Sequence, residues 1–273
     1  MLSADEVRKR AEHPVHFGLV ADGGTAYAEM EEFLVPANLP AQARISRLLQ
    51  VHRASEEEPP SQVDVVLYEP GLPCPQAAFT YHRVDPVQTI CEILDEKPEL
   101  ALPLARQFPE FRAEVVERMI HEVARENAFF ALATALPNII PNLIELPWLF
   151  GEFASDTAFL TANQIRMAFQ IAAACGQDPG LAHQKFDVLG IAGAAFGWRA
   201  LARELVGHIP LGGGLIPKGA IAYAGTYLAG KGLEALHLQN GRHSAEERRT
   251  AYQRGLEKGK AVIRSIRPAQ RSA

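Results

Sequence analysis

The sequence predicts an α+β chain in two parts: a small α/β module, then a larger and mostly helical domain. Three observations lead there. Short β-branched runs alternate with helical stretches up to about residue 97. From residue 98 the apolar residues recur at helical spacing instead. From Gly241 onward the chain carries nine basic against three acidic residues, although its formal net charge is -5. The expected divisions are therefore residues 13–97, 98–240 and a basic helix and tail at 241–273.

Residues 15–20 (VHFGLV) form a short apolar run that ends at Asp22, Gly23 and Gly24, which reads as a strand entering a tight turn. Residues 26–35 and 41–51 read as helices, separated by Pro36 and Pro40. The acidic, proline-rich stretch 55–61 reads as a solvated loop. Residues 63–68 (VDVVLY) read as the second strand, residues 77–84 as a third, and 87–94 as a helix. Strands alternating with helices imply a small, mainly parallel sheet.

Residues 110–136 then predict a long helix. Val116, Met119, Ile120 and Val123 share one side, and Glu114, Arg118 and Glu122 pair along another. Ser155 is placed to cap a helix that Gly176 ends. Residues 186–206 and 216–238 predict two more helices, rich in small-xxx-small spacings such as Ala220/Ala224 and Gly225/Ala229. Ser244 and Glu247 form a capping box that opens a last helix, with Tyr252, Leu256, Ile263 and Ile266 on its apolar side.

The bulk chemistry narrows the function classes. Hydrophobic residues are 48% of the chain and charged residues 22%, as in ordinary globular proteins. Cys74, Cys91 and Cys175 are odd in number and never spaced as C-x-x-C, so a disulfide framework is not expected and a reducing compartment is. Residues 1–10 lack the apolar core of a secretory signal. No uninterrupted apolar run reaches the ~20 residues of a membrane span.

Few residues carry recognisable chemistry. His121-Glu122 begins like a zinc-protease helix, but Arg125 stands where the second imidazole is needed. No nucleophile elbow and no metal-spaced Cys/His cluster occurs, so no catalytic residue, metal or cofactor is assigned. One polar constellation stands out among apolar helices. Asp156 and Asn163 lie on one helix, and Arg199, Arg203 and Glu204 on the next. Such groups need partners when buried, so a register-fixing network is expected there. Gly212, Gly213 and Gly214, followed by Lys218, form a glycine-rich loop that reads as a tight turn between helices.

Four stretches recur in an order that is familiar: residues 99–112 (ELALPLARQFPEFR), 126–141 (ENAFFALATALPNIIP), 155–176 (SDTAFLTANQIRMAFQIAAACG) and 197–230 (GWRALARELVGHIPLGGGLIPKGAIAYAGTYLAG). They resemble domain-of-unknown-function family 697, the helical domain found C-terminal to Era-like bacterial GTPases and in related inner-membrane proteins. The resemblance covers about residues 98–238 and implies an all-helical, often membrane-associated domain, with no agreed catalytic residues.

It also implies a GTPase core upstream. Residues 18–25 (GLVADGGT) keep the G-x-x-x-x-G-K-[ST] spacing of a phosphate-binding loop, but Gly24 replaces the lysine before Thr25. Gly18 falls within the expected strand. Tyr68 stands at the aspartate of D-x-x-G (68–71), and residues 82–85 (HRVD) match the base-reading motif poorly. Without the lysine and aspartate, tight Mg-nucleotide binding is not expected. The resemblance is to a degenerate GTPase core.

These readings predict a bacterial-type, non-enzymatic interaction or regulatory protein in the cytoplasm or at the cytoplasmic face of the inner membrane. Its expected partners are a protein and an anionic membrane surface, with self-association allowed and no nucleic acid. The alternative is a nucleotide-binding switch with an unorthodox loop centred on Gly23, Gly24 and Thr25.

Overall fold

The computed structural model describes residues 3–55, 58, 60–135, 156–180, 215–239, 241 and 243–266. The elements in order are α1 (Ala4–Ala11), β1 (Phe17–Val20), α2 (Gly24–Leu34), α3 (Ala41–Leu48), β2 (Val51–Ala54), β3 (Val65–Tyr68), β4 (Phe79–Thr80), α4 (Pro86–Glu96), α5 (Ala101–Gln107), α6 (Arg112–Ala135), α7 (Asp156–Ala174), α8 (Leu215–Leu238) and α9 (Ala245–Ile266). Short 3-10 turns at Pro98–Leu100 and Pro109–Phe111 flank α5. The helix expected at 186–206 lies outside the described residues.

The chain separates into two compact units. One comprises Asp5–Val116 with Ala173–Asp178; the other contains Glu117–Ala172 and Pro179–Ala273, together with Met1–Ala4. The stretch 98–116 thus groups with the sheet.

The sheet unit is α/β as expected, with four parallel strands in the order β2-β1-β3-β4. One strand differs from the sequence expectation. The helix expected over 41–51 stops at Leu48, and Val51–Ala54 becomes the edge strand β2, paired with β1 from Phe17↔Val51 to Val20↔Ala54. An edge strand with exposed His52 and Arg53 lacks the apolar pattern that marks a strand buried on both faces. β1 has that pattern, since all four of its residues are buried.

The core of this unit is largely aromatic. Phe17 of β1 meets Phe108 edge-on at 4.8 Å between ring centroids, and Phe33 of α2 packs near Tyr81 and Phe111. The 3-10 turn at Pro109–Phe111 places Phe111 in this core. Gln107 serves as a polar clamp beside it. Its amide accepts from Val15 N–H (3.2 Å) and Gln50 Nε2 (2.6 Å), and donates to the carbonyls of His13 (2.6 Å) and Pro103 (3.1 Å).

The helical unit is built around α8, which is apolar on almost every side, as a helix enclosed by neighbours should be. α8 and α9 form an antiparallel hairpin. The expected capping box is present: Glu247 N–H donates to Ser244 Oγ (3.2 Å), and Ser244 N–H to Glu247 Oε2 (2.6 Å). Gly255 sits over Ala224 and Gly259 over Ala220, so close that an added Cβ would lie 3.0 Å from either Cα. The small residues expected on 216–238 therefore have a partner in the basic segment. α9 is more than a solvated helix, for it buries Ala251, Gly255, Gly259 and Ile263. Leu132 of α6, Ala220 of α8 and Ile263 of α9 form one apolar cluster, with Leu256 against it. Phe130 of α6 stacks on Phe159 of α7 at 3.9 Å.

Candidate functional sites

In an open parallel sheet, ligands bind beyond the carboxyl ends of the strands where strand order reverses. Here that place lies beyond Val20 and Tyr68. Gly18 is not part of a loop there. It sits within β1, and a Cβ on it would come within 2.2 Å of Pro60 Cγ. Gly23 and Gly24 open α2 with clear space around them, and no side chain caps that helix. The turn N–H of Asp22 donates to Glu69 Oε2 (3.0 Å), while Arg83 binds Glu29 (2.6 Å) and approaches Glu69 (4.0 Å). A phosphate entering this turn would have to displace a carboxylate of the chain itself.

Two polar seams run through the helical unit. The first joins α6, α8 and α9. Glu117 and His121 are one turn apart on α6, with Glu117 Oε1 2.9 Å from His121 Nε2. Lys258 of α9 brings Nζ to 2.7 Å from the same nitrogen. Nε2 serves these partners alternately, donating to the carboxylate as N–H or accepting from the ammonium when bare. His121 Nδ1 meets the hydroxyl of Tyr223. Lys231 donates to Glu117 Oε2 (3.2 Å), and Tyr227 O–H to Oε1 (3.4 Å). The hydrogen bond with His121 and the charge of Lys231 hold Glu117 down to a pKa of about 2, against the opposing effect of burial. Burial, with Tyr227 and Glu117 nearby, pushes Tyr223 up to about 12.

The second seam joins α6, α7 and α8. Asn127 is fully buried and donates to Thr226 Oγ1 (2.8 Å); Asn163 donates to Asn127 Oδ1 (3.0 Å), and Gln164 to Thr226 (3.2 Å). Glu126 pairs with Arg166 at its rim. Burial raises the Glu126 pKa even so. Asn127, Asn163, Gln164 and Thr226 are each held by another, which is what a buried network requires.

α9 turns its other side outward. Arg249, Arg254 and Arg264 are exposed there, interrupted by Glu246, Glu247 and Glu257. Lys258 is drawn inward over the Tyr227 ring (5.1 Å), and Lys260 pairs with Glu257 (2.8 Å). Arg249, Arg254 and Arg264 make no ion pair among the described residues.

The structure therefore places the sequence candidates as follows. Gly23, Gly24 and Thr25 lie at the opening of α2. Asn163 belongs to the second seam. Asp156 begins α7, but its side chain lies outside the described residues, as do Arg199, Arg203, Glu204, Gly212, Gly213 and Gly214. Lys218 lies in the first turn of α8, is exposed, and reaches Thr134 Oγ1 (3.4 Å). The first seam is absent from the sequence expectations. Its signal is present as the Glu117/His121 spacing on α6 and the Tyr223, Tyr227, Lys231 spacing of four on α8. Among the described residues no group of three His, Cys, Asp or Glu side chains is placed to hold a metal, and no helix is long and apolar enough to cross a membrane. No family model, curated protein or solved structure matches this chain.

Proposed function

We propose that this chain is a non-enzymatic interaction or regulatory protein that rests on an anionic membrane surface through α9, at the cytoplasmic face. In this reading the helical part is akin to the domains that follow Era-like GTPases, and the sheet unit to a GTPase core without its nucleotide grip. The observation that carries it is the outward face of α9. Arg249, Arg254 and Arg264 project from a helix whose other side is anchored to α8. Each basic residue near an anionic leaflet is worth about 1 kcal/mol. Three together give roughly a hundredfold in partitioning, enough for reversible attachment.

The test is flotation of the intact protein with phosphatidylglycerol-containing vesicles. Wild type is expected to float at low salt and to be released by about 0.5 M salt, where charges are screened within a few ångström. The triple variant R249E/R254E/R264E is expected to stay in solution. Equal flotation of the two proteins, or none by wild type, would overturn the proposal.

A nucleotide switch at Gly23, Gly24 and Thr25 is the second reading; the uncapped N-terminus of α2 favours it, and Glu69 would have to move aside from the Asp22 N–H. Titration with labelled GTP and ATP decides it. Binding at about micromolar Kd or tighter, lost on Thr25→Ala, would displace the first reading.

A further inference from the structure

α3 is a helix without a buried residue. Its apolar residues face outward all the same: Ile45 is 56% exposed, Leu48 37% and the adjoining Leu49 73%. They stand at i, i+3 and i+4, the stripe that one helix offers to another. Beside the stripe is a set of arginines. Gln50, just past α3, donates to Gln107 at the end of α5 (2.6 Å), which brings these two helix ends together. Arg106 precedes Gln107, and Arg112 reaches back to the carbonyls of Ala105 (3.0 Å) and Arg106 (3.4 Å). Arg47 projects from the last turn of α3 and has no carboxylate partner among the described residues. Burial lowers its pKa, and the charges of Arg112 and Arg106 lower it further.

We propose that α3 is the docking surface for an acidic amphipathic helix of a protein partner, whose leucine-like side chains cover Ile45, Leu48 and Leu49 and whose carboxylate pairs with Arg47. Charge complementarity selects this occupant. Arg47 is a half-buried cation with Arg112 and Arg106 nearby and, among the described residues, no carboxylate partner of its own, and a carboxylate relieves it by a bidentate pair. A flat anionic bilayer suits the place less well. Glu12 and Asp178 beside Arg106, and Glu32 beside Arg44, are more than half exposed and would face the lipid headgroups. The site lies in the sheet unit and is independent of α9.

The probe is a fluorescein-labelled peptide of about 15 residues, near the shortest length for a helix in water. It carries leucines at i, i+3, i+4 and i+7 with glutamates on both flanks. A counterpart has lysine for every glutamate. Intact protein is expected to bind the acidic peptide at micromolar Kd and the basic one at least about tenfold more weakly. Leu49→Ser and Arg47→Glu are each expected to weaken the acidic peptide about tenfold, and Leu49→Ser, at a side chain open to solvent, is expected to leave the melting temperature where it is. Equal affinity for the two peptides, no binding of the acidic one, or binding insensitive to both substitutions would each overturn the proposal. So would anionic-vesicle flotation that Leu49→Ser and Arg47→Glu abolish.

Discussion

Gly259 of α9 lies directly over Ala220 of α8, with room for a hydrogen and none for a methyl group. A Cβ at 259 would stand 2.9 Å from Tyr223 Cβ and 3.0 Å from Ala220 Cα. Gly259→Leu is expected to push the hairpin apart and cost about 2–3 kcal/mol, the range for overpacking a tight contact. Gly232 is the control. It is exposed on α8, and a methyl group added there would meet nothing within 4 Å, so Gly232→Ala is expected to stabilise by up to about 1 kcal/mol. Thermal unfolding of both variants measures the contrast.

Glu117 makes the hairpin's attachment acid-sensitive. Its folded pKa of about 2 lies below the ordinary 4.5, so the unfolded chain takes up the proton first as pH falls. The stabilisation is complete above about pH 5 and disappears between about pH 4.5 and 2. After allowance for its partial exposure it is on the order of 2 kcal/mol. Denaturant unfolding of wild type and Glu117→Gln across this range should show a gap that closes only in the acid window. A gap independent of pH would exclude the assignment.

Tyr223 works in the opposite direction. With a folded pKa of about 12 against the ordinary 10, the unfolded chain loses the phenolic proton first. Its contribution is intact below about pH 10 and declines between about pH 10 and 12. Absorbance at the tyrosinate band should contain a late-ionising component that Tyr223→Phe removes.

The Asn127–Asn163 pair tests the second seam. Asn127→Ala leaves the Asn163 amide only its longer bond to Glu126 (3.3 Å) and removes the donor to Thr226, and is expected to cost about 2–3 kcal/mol. A double-mutant cycle with Asn163→Ala should return a coupling of about 1–2 kcal/mol. Additive losses would mean that the two amides do not cooperate.

Gln107→Leu should be costly, although nothing in the local sequence marks this residue out. Leucine matches its size but leaves the buried N–H of Val15 without an acceptor. The expected loss is about 2–3 kcal/mol in denaturant unfolding. Gln107→Glu retains the acceptors and is expected to lose less at low pH, where the protonated carboxyl can also donate.

The buried strands were legible because burial on both faces demands continuous apolar runs, as at β1 and β3. β2 was not, because its side chains face water and only the ladder to β1 makes it a strand. The same division runs through the candidate sites. The basic residues of α9 could be counted from the sequence. That Lys258 turns inward to Glu117 and His121, while Arg249, Arg254 and Arg264 do not, depends on which face of the helix meets α8. Asn163 was recognisable as a polar residue in an apolar helix, but its partner Asn127 sits 36 residues earlier on another helix.

By itself, the sequence determined the α+β order of the chain, the periodicity of its long helices and the capping box at Ser244. These are local properties, set by side-chain pattern and backbone preference within a few turns. Only the tertiary structure decided which small residues of α8 would receive Gly255 and Gly259, which tyrosine would meet His121, and which arginine would be left without a counter-charge. Those outcomes depend on groups far apart in the chain arriving within a few ångström, where sterics and charge act at a range that no sequence window covers.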